Sequence, residues 1–398
     1  KDTFNKLTTI DSILLFVLVW FLWLIIGARG ALRLFFLFVP IASVMAAFAL
    51  VRIGEYSTKI KDRLYKFALI AFLIFIAVFL LYTFSKESIS DASAVGTVYK
   101  LQWQNAMGWV DTNAAKDSVF AHWWDYGYMV QTIGKRATIL DGGNVYPYWN
   151  HLFARNVLTS NNESAALEFL FSHNATYLLI DSTDLGKYSA YSLIGSDENR
   201  DRHSQINAFD LENIVAVNET FNIYVYKGVA YLDEDLVFDN LIFPAKKTAI
   251  IAVFLPIEKY GTERYLNQPT AILSYNGNQF ELSVRCVYFA GEIFEFNESK
   301  ALESCFYVIP GIVTSREQKI SINEMGTLIH LSSKVKNSLY AQLYLFNKQS
   351  ENFKLVNVEE DPLVAAIRAE FNLTGPSTFD FNGFKGPIKI WKIEYPTG

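Results

Sequence analysis

Residues 118–144 read SVFAHWWDYGYMVQTIGKRATILDGGN and contain the most unusual string in the chain, HWWDYGY at His122–Tyr128. The apolar run Ser118–His122 predicts a short strand that leads into this string. A second short strand is predicted at Ala137–Leu140, and an Asp-Gly-Gly-Asn turn follows it. The stretch therefore predicts two short strands on either side of a tight turn that is rich in aromatic side chains.

The flanking sequence extends this pattern into an α/β unit. Apolar residues at helical spacing predict a helix within Thr97–Ala115, and further helices are predicted near Pro147–Leu158 and Glu163–His173. The run Thr176–Ile180 predicts another strand. Strands that alternate with helices at this spacing are typical of a layered α/β fold, which we assign to a central core at residues 97–230.

The sequence changes in character after about Asn213, where β-branched and aromatic runs alternate with turns. Asn276-Gly277-Asn278 lies between two such runs and is a hairpin signal. The tail Gly386–Tyr395 alternates in polarity and predicts a final strand. We therefore assign residues 231–398 to a β-rich peripheral domain. The runs that predict the other strands are Phe221–Tyr226, Ala249–Leu255, Ala271–Tyr275, Phe280–Tyr288 and Tyr340–Phe346.

Upstream of the core, residues 1–86 contain three apolar runs, at Ser12–Ala28, Leu34–Val51 and Phe67–Ser85. Each is close to the ~20 residues with which an α-helix crosses a bilayer. Buried core helices are the alternative, but three nearly uncharged runs in succession favour membrane spans. A cleaved signal peptide fits poorly, because a second spanning run follows the first. We therefore predict three transmembrane helices.

The loop between the second and third runs fixes the predicted topology. Residues 52–66 carry five Lys and Arg residues, so the positive-inside rule places this loop in the cytoplasm. The third helix then runs outward, Lys86–Gly96 becomes a polar linker, and the rest of the chain is extracytoplasmic. The turn between the first two runs also faces outward, with Arg29 and Arg33 near the outer surface. These arginines either snorkel to lipid headgroups or hold an anionic group such as a diphosphate.

Composition excludes several classes of protein. The 398 residues include 35 Lys and Arg against 40 Asp and Glu, a net charge of −5 that argues against nucleic-acid binding. A chain with 51% hydrophobic and 19% charged residues is not intrinsically disordered. The two cysteines, Cys286 and Cys305, argue against a disulfide-rich scaffold or a structural zinc site. In the predicted topology they can form a disulfide or remain as buried free thiols.

HWWDYGY offers chemistry beyond packing. One interpretation is a core pair of tryptophans with Asp125 as a helix N-cap. The other is a small polar pocket, because an indole N–H only donates hydrogen bonds and an ionised carboxylate only accepts them. Two indoles, from Trp123 and Trp124, and one carboxylate can surround a hydroxyl that both donates and accepts. Such a pocket rejects analogues that lack the hydroxyl, since its polar groups are then left unpaired.

Several segments of the chain resemble a known protein family. HWWDYGY followed by RATILDGGN resembles the catalytic subunit of oligosaccharyltransferases, the membrane enzymes that N-glycosylate proteins. Asp184-Leu-Gly-Lys187 resembles the DxxK element of archaeal and eukaryotic members, and GARGALRLFFLFVP resembles the family's arginine-bearing segment. The ending GPIKIWKIEYP is similar to the tail of archaeal single-subunit members. The resemblance covers nearly the whole chain.

The resemblance implies roles for matching positions. Trp123, Trp124 and Asp125 would bind the hydroxyl of Ser or Thr at the third position of an Asn-x-Ser/Thr acceptor. Lys187, with Asp184, would flank the same pocket on a kinked helix. The family often has an aliphatic residue four positions after the lysine, where this chain has Tyr191. Arg33 matches the arginine that faces the diphosphate of the lipid-linked donor, with Arg29 as the reserve candidate.

The resemblance also implies what this chain does not supply. The family has about thirteen spanning helices and uses Mn²⁺ or Mg²⁺ to help the lipid diphosphate leave. Its metal ligands and the carboxylates that engage the acceptor amide lie in loops between earlier helices. We therefore assign no catalytic residue and no metal ligand here. The chain begins with Lys1 rather than Met, and we expect it to be the C-terminal portion of the enzyme.

The predicted fold class is α-helical transmembrane segments followed by a mixed α/β extracytoplasmic domain and a β-rich domain. The predicted function is transfer of an oligosaccharide from a dolichyl diphosphate donor to the Asn of a sequon, in a multi-pass protein of the cell membrane. The expected partners are the lipid-linked oligosaccharide, the acceptor protein and membrane lipid, and no nucleic acid. Alternatives are a membrane-anchored surface glycoprotein with a structural or adhesive β domain, and a relative that binds sequons without transfer.

Overall fold

The computed structural model describes residues 12–30, 34–95, 97, 99–261, 263–298, 301–314, 320–373 and 378–396. The chain forms two compact units, Lys1–Val98 and Tyr99–Gly398, which are described separately.

Within residues 12–30 and 34–95, the first unit contains three helices, α1 (Ser12–Gly30), α2 (Phe35–Ser57) and α3 (Arg63–Val95). Among the described residues, two helices are long and apolar enough to cross a membrane, α2 and the Arg63–Ser93 part of α3. The first predicted span forms α1, whose apolar stretch Leu15–Gly30 is shorter. Large apolar side chains are exposed along all three helices, as hydrocarbon-facing residues would be.

The predicted linker Lys86–Gly96 is wrong, because α3 continues to Val95. The segment is polar but contains no proline, and its only glycine is the last residue. Polarity alone therefore does not end a helix when each residue is compatible with helical backbone angles. The Ser93 hydroxyl donates a 2.7 Å hydrogen bond to the Ile89 carbonyl, which ties it to the preceding helical turn.

The second unit contains a five-stranded sheet with helices packed around it. Its strands are β1 (Val119–Ala121), β2 (Ala137–Thr138), β3 (Tyr177–Ile180), β15 (Phe353–Glu359) and β18 (Ile388–Ile393), in the spatial order β15-β18-β3-β1-β2. β1 runs parallel to β2 and β3, whereas β18 is antiparallel to its neighbours. The helices of this half are α4 (Leu101–Asn113), α5 (Gly127–Thr132), α6 (Pro147–Phe153), α7 (Glu163–Ser172) and α8 (Asp184–Ile194).

In the described part of the chain, eleven further strands form a second, larger sheet, which confirms the β-rich prediction. They are β4 (Asn207–Ala216), β5 (Phe221–Tyr231), β8 (Ala249–Tyr260), β9 (Glu263–Leu266), β10 (Thr270–Tyr275), β11 (Asn278–Phe289), β12 (Glu292–Glu295), β13 (Ala301–Thr314), β14 (Ile320–Leu331), β16 (Phe379–Asp380) and β17 (Phe384–Lys385). Strands β6 (Leu236–Phe238) and β7 (Leu241–Phe243) pair with each other as a separate two-stranded sheet. Seven strands pair in the order β11-β10-β8-β5-β4-β14-β13, and parallel pairing of β13 with β11 closes the ladder. Apolar side chains from these strands pack together as a core that includes Tyr226, Val253 and Phe306. Two short helices accompany them, α9 (Ser333–Lys336) and α10 (Pro362–Glu370).

The sheets do not follow the domain boundary that we placed between residues 230 and 231. β4 and β5 precede or reach this boundary and belong to the larger sheet, whereas β15 and β18 return to the smaller one. The tail is the strand we predicted, but it pairs between β15 and β3, one strand in from the edge of the α/β sheet. Local sequence predicts a strand, while its partner is chosen by contacts between distant segments.

Two further predictions concern residues 231–398, which we assigned to the β-rich domain. The strand predicted at Tyr340–Phe346 is wrong, because Ala341–Leu345 form a turn of π-helix. Its side chains are buried on all sides, so no periodicity distinguishes helix from strand. The question left open for the cysteines is resolved by a disulfide between Cys286 and Cys305, which face each other on β11 and β13 with Cα atoms 4.4 Å apart.

Candidate functional site

The Trp-Trp-Asp string lies where β1 gives way to α5. Trp124–Tyr126 form a turn of 3₁₀-helix, and α5 begins directly after it at Gly127. Trp123 is only 3% exposed, and its ring lies 5.0 Å from that of Tyr191. Trp124 is half-buried, and the Asp125 side chain is 29% exposed. The turn therefore presents Trp124 and Asp125 to solvent, while Trp123 packs behind them.

Gly127 is required by a close approach between the turn and the Asp-Gly-Gly-Asn segment. A Cβ atom at this position would lie 2.4 Å from the Cβ of Asp141 and 2.7 Å from the carbonyl oxygen of Leu140. The Asp141 carboxylate accepts hydrogen bonds from the Gln131 amide and the Gly143 backbone N–H, both at 2.8 Å. These bonds, with Gln131 as the main cause, hold the pKa of Asp141 below its usual value. The two motifs therefore form one packed unit.

Helix α8 brings the second predicted element to the same place. The Lys187 ammonium lies 2.7 Å from Oδ2 of Asp125 and 3.9 Å from Oδ1 of Asp184. Lys187 also donates a hydrogen bond of 2.9 Å to the hydroxyl of Tyr126. The five residues that the sequence predicts, Trp123, Trp124, Asp125, Asp184 and Lys187, thus lie on two neighbouring segments that these contacts join.

Tyr126 is the residue that the sequence analysis missed. Its hydroxyl donates a 2.5 Å hydrogen bond to Oδ1 of Asp184, while its ring stacks on Trp103 at 5.1 Å. The Lys187 ammonium lies 4.4 Å from the centre of the same ring, a cation–π distance. A signal was available in the sequence, because Tyr126 directly follows the Trp-Trp-Asp string and its phenol therefore belongs to the same turn.

Behind this surface lie two buried carboxyl groups. Burial and the nearby charge of Asp181 raise the pKa of Asp184 to about 7, and burial also raises the pKa of Asp181. Asp184 accepts a 3.0 Å hydrogen bond from the Asp181 backbone N–H. Asp181 in turn accepts bonds from the backbone N–H and the hydroxyl of Thr183, at 2.7 and 2.5 Å. Protein donors therefore hold both carboxyl groups in place.

His122 supports the turn from within the core. Its Nδ1 lies 2.8 Å from the carbonyl oxygen of Trp123, and since a carbonyl only accepts, Nδ1 carries the proton. Complete burial lowers the pKa of His122 to about 4, so the ring is neutral. Nε2 is buried without a hydrogen-bond partner among the described residues. His122 therefore fixes the backbone of Trp123 rather than exchanging protons with solvent.

The other predicted positions receive less support. Arg33 lies outside the described residues, and Arg29 is an exposed residue in the last turn of α1. Within the described part of the chain, no group of three or more His, Cys, Asp or Glu side chains is arranged to hold a metal ion. Oδ1 of Asp181 accepts from the Thr183 hydroxyl and Oδ1 of Asp184 accepts from Tyr126, so these two oxygens already have protein partners.

Comparison with known proteins identifies relatives of this arrangement. Residues 115–232, which include both motifs, match the family model described as the STT3/PglB/AglB core domain. The chain is 32% identical over 80 residues to the dolichyl-diphosphooligosaccharide--protein glycosyltransferase subunit stt-3 of Caenorhabditis elegans, covering 20% of this chain and 10% of that protein. It is 28% identical over 172 residues to subunit STT3 of Saccharomyces cerevisiae, covering 37% and 23%.

A solved structure is similar in fold. It is the Archaeoglobus fulgidus oligosaccharyltransferase tethered with an acceptor peptide containing the NVT sequon, with a TM-score of 0.50 and 12% identity. The match covers 95% of this chain and 43% of that one, and the curated relatives above are matched over 10% and 23% of their length. Residues 115–232 are therefore similar to the core domain of oligosaccharyltransferases, and the chain spans less than a quarter of each curated relative named above.

Proposed function

We propose that this chain is part of an oligosaccharyltransferase that moves an oligosaccharide from a dolichyl diphosphate donor to the Asn of an Asn-x-Ser/Thr acceptor. Its own contribution is recognition of the Ser or Thr hydroxyl. The names of the relatives support the reaction, and the peptide-tethered Archaeoglobus fulgidus structure supports a peptide acceptor. The observation that carries the proposal is the partly exposed Asp125 carboxylate, paired with Lys187 beside an accessible tryptophan.

The proposed recognition follows from hydrogen-bonding capacity. Lys187 forms an ion pair with Oδ2 of Asp125, 2.7 Å away. Oδ1 can then accept the proton of an incoming hydroxyl, while the indole N–H of Trp124 donates to the hydroxyl oxygen. Because Trp123 is 3% exposed, we assign it a supporting position behind this pair. An acceptor with Ala in place of Thr would leave both groups unpaired.

The remaining features of the enzyme belong to the same proposal. We place the chain in the membrane as part of a multi-pass protein of the archaeal single-subunit type, with the second unit outside the cell. Arg33 would face the diphosphate of the donor. When bound, Mn²⁺ or Mg²⁺ would stabilise the departing diphosphate, and its ligands would come from segments other than those described here. A surface glycoprotein with an adhesive β domain would account for the larger sheet but not for the core-domain match.

The test compares Asp125→Ala with Asp117→Ala in the full-length enzyme. Asp117 is an exposed aspartate that precedes β1 in the same unit, so its replacement controls for loss of a surface charge. Transfer from the native lipid-linked donor is measured with Asn-x-Thr and Asn-x-Ala peptides. We expect Asp125→Ala to abolish transfer to Asn-x-Thr and Asp117→Ala to leave it intact. Wild-type transfer by Asp125→Ala, or equal transfer of both peptides by the wild type, would refute the proposal.

A further inference from the structure

Tyr126 connects the two segments of the proposed site. The residue is only 4% exposed, and its hydroxyl lies between the Lys187 ammonium and the Asp184 carboxylate. We propose that Tyr126 is a positioning residue: its hydroxyl holds Lys187 on Oδ2 of Asp125 and so keeps Oδ1 free and oriented for the acceptor hydroxyl. This inference rests on the proposed function.

The directions of the hydrogen bonds follow from the groups involved. An ammonium group has only donors, so the Tyr126 oxygen accepts the 2.9 Å bond from Lys187. The single phenolic proton is then donated to Asp184, at 2.5 Å. Asp184 is itself fixed by the backbone N–H of Asp181. The Lys187 ammonium is therefore held through the Tyr126 hydroxyl by a fully buried carboxyl group, that of Asp184 at the start of α8.

Without this hydroxyl, the lysine would be poorly fixed. The Lys187 side chain is 29% exposed, and its ammonium group stands at the end of a flexible four-carbon stem. The ammonium can therefore reach solvent as well as either carboxylate. Asp184 lies 3.9 Å from the ammonium in the present arrangement and would compete with Asp125 for it. The hydroxyl of Tyr126 lies between the lysine and Asp184, and with the ammonium bonded to it the distance to Oδ2 of Asp125 is 2.7 Å.

Phenylalanine at this position would remove the hydroxyl and keep the ring. The stacking on Trp103 and the ring face beneath Lys187 would remain, so the hydrophobic packing changes little. The expected defect is therefore in the orientation of Asp125 and not in the fold. Acceptor binding needs that orientation, whereas a bound acceptor already pairs with Asp125. We accordingly expect a higher KM for the acceptor peptide and a nearly unchanged kcat.

The experiment measures transfer to an Asn-x-Thr peptide by the full-length enzyme with Tyr126→Phe. The matched control is Tyr226→Phe, which removes a buried hydroxyl that donates a 2.7 Å bond to the Met325 carbonyl in the larger sheet. We expect Tyr126→Phe to raise KM on the order of tenfold, as for loss of a bond to a charged group. The control should leave KM within about twofold, the limit expected for a remote site. An unchanged KM for Tyr126→Phe would overturn the inference.

A double variant separates positioning from a general structural effect. If Tyr126 acts through the lysine, then Lys187→Met raises KM by a similar factor, and Tyr126→Phe adds nothing further to it. Multiplication of the two effects would show independent roles and overturn the inference. If the Tyr126→Phe protein does not accumulate, Lys187→Met is tested alone. An unchanged KM for Lys187→Met would also overturn the inference. Asp125→Ala tests the proposed function separately, because it can abolish transfer whether or not Tyr126 matters.

Discussion

Gly127→Ala tests whether the two motifs are packed as closely as the structure indicates. The backbone at Gly127 is ordinary right-handed helix, with φ −53° and ψ −49°, so alanine introduces no backbone strain. The added methyl would instead lie 2.4 Å from the Asp141 Cβ and 2.7 Å from the Leu140 carbonyl oxygen. Neither atom belongs to the flexible end of a side chain. Relief to an ordinary contact of 3.4 Å requires a shift of about 1 Å.

The expected size follows from two opposing terms. Forcing a methyl into a well-packed site costs about 1–3 kcal/mol. Alanine also restricts the unfolded chain, which favours folding by about 0.4–1 kcal/mol where the native backbone suits it. We therefore expect a net loss of about 1–2 kcal/mol in the free energy of unfolding. Gly108→Ala is the control, because it lies within α4 with open space around its Cβ, and should stabilise by about 0.5–1 kcal/mol.

The assay is thermal unfolding of the detergent-solubilised chain, with the wild type and both variants scanned at one rate. About 2–4 °C per kcal/mol applies to domains of 150–250 residues, so Gly127→Ala should lower the midpoint by a few degrees. Gly108→Ala should leave the midpoint unchanged or raise it. A midpoint for Gly127→Ala that equals or exceeds that of Gly108→Ala would refute the close approach of the turn to Asp141.

Three further predictions concern stability. Replacing Cys286 and Cys305 with alanine should lower the free energy of unfolding by about 3 kcal/mol, given a separation of 19 residues, and a urea titration of the oxidised chain would show it. The raised pKa of Asp184, about 7 against 3.8, means that the folded state binds more protons between pH 4 and 7. Stability should therefore fall as pH rises through that window, and Asp184→Asn should flatten the fall in melting temperature. Burial lowers the pKa of Lys389 from 10.5 to about 8, so the unfolded state binds more protons above pH 8 and stability should rise. Lys389→Met should remove this rise between pH 8 and 9.5, and a rise that persists would refute the assignment.

Elements that depend on local pattern were predictable from the sequence. The helices predicted near Pro147–Leu158 and Glu163–His173 correspond to α6 with its π-helical extension and to α7. Asn162 caps α7 by accepting bonds from two backbone N–H groups, a signal that lies beside the helix in sequence. The hairpin at Asn276-Gly277 joins β10 to β11, with positive φ at both residues. Each of these features is decided within a few residues.

Features that depend on distant contacts were not predictable in the same way. Nothing in Ile388–Ile393 indicates that this strand pairs with β3, more than 200 residues upstream, instead of joining the larger sheet. The role of Tyr126 depends on α8 reaching the turn, and no spacing in the sequence reports that contact. The five candidate site residues could be identified from the resemblance to a family pattern. The hydrogen bonds between them could be identified only from the coordinates.

The charges around Tyr126 also bear on why the site exists. Asp181 and Asp184 are buried within a few residues of each other, and the Lys187 ammonium is 3.9 Å from one of them. Burying like charges is unfavourable, and replacing such a group with apolar residues of similar volume is often neutral or stabilising. Burial of these carboxyl groups is therefore a cost to folding, which the hydrogen bonds from Thr183 and Tyr126 partly offset. Under the proposed function, this cost is accepted because the cluster places Lys187 beside the partly exposed Asp125 carboxylate.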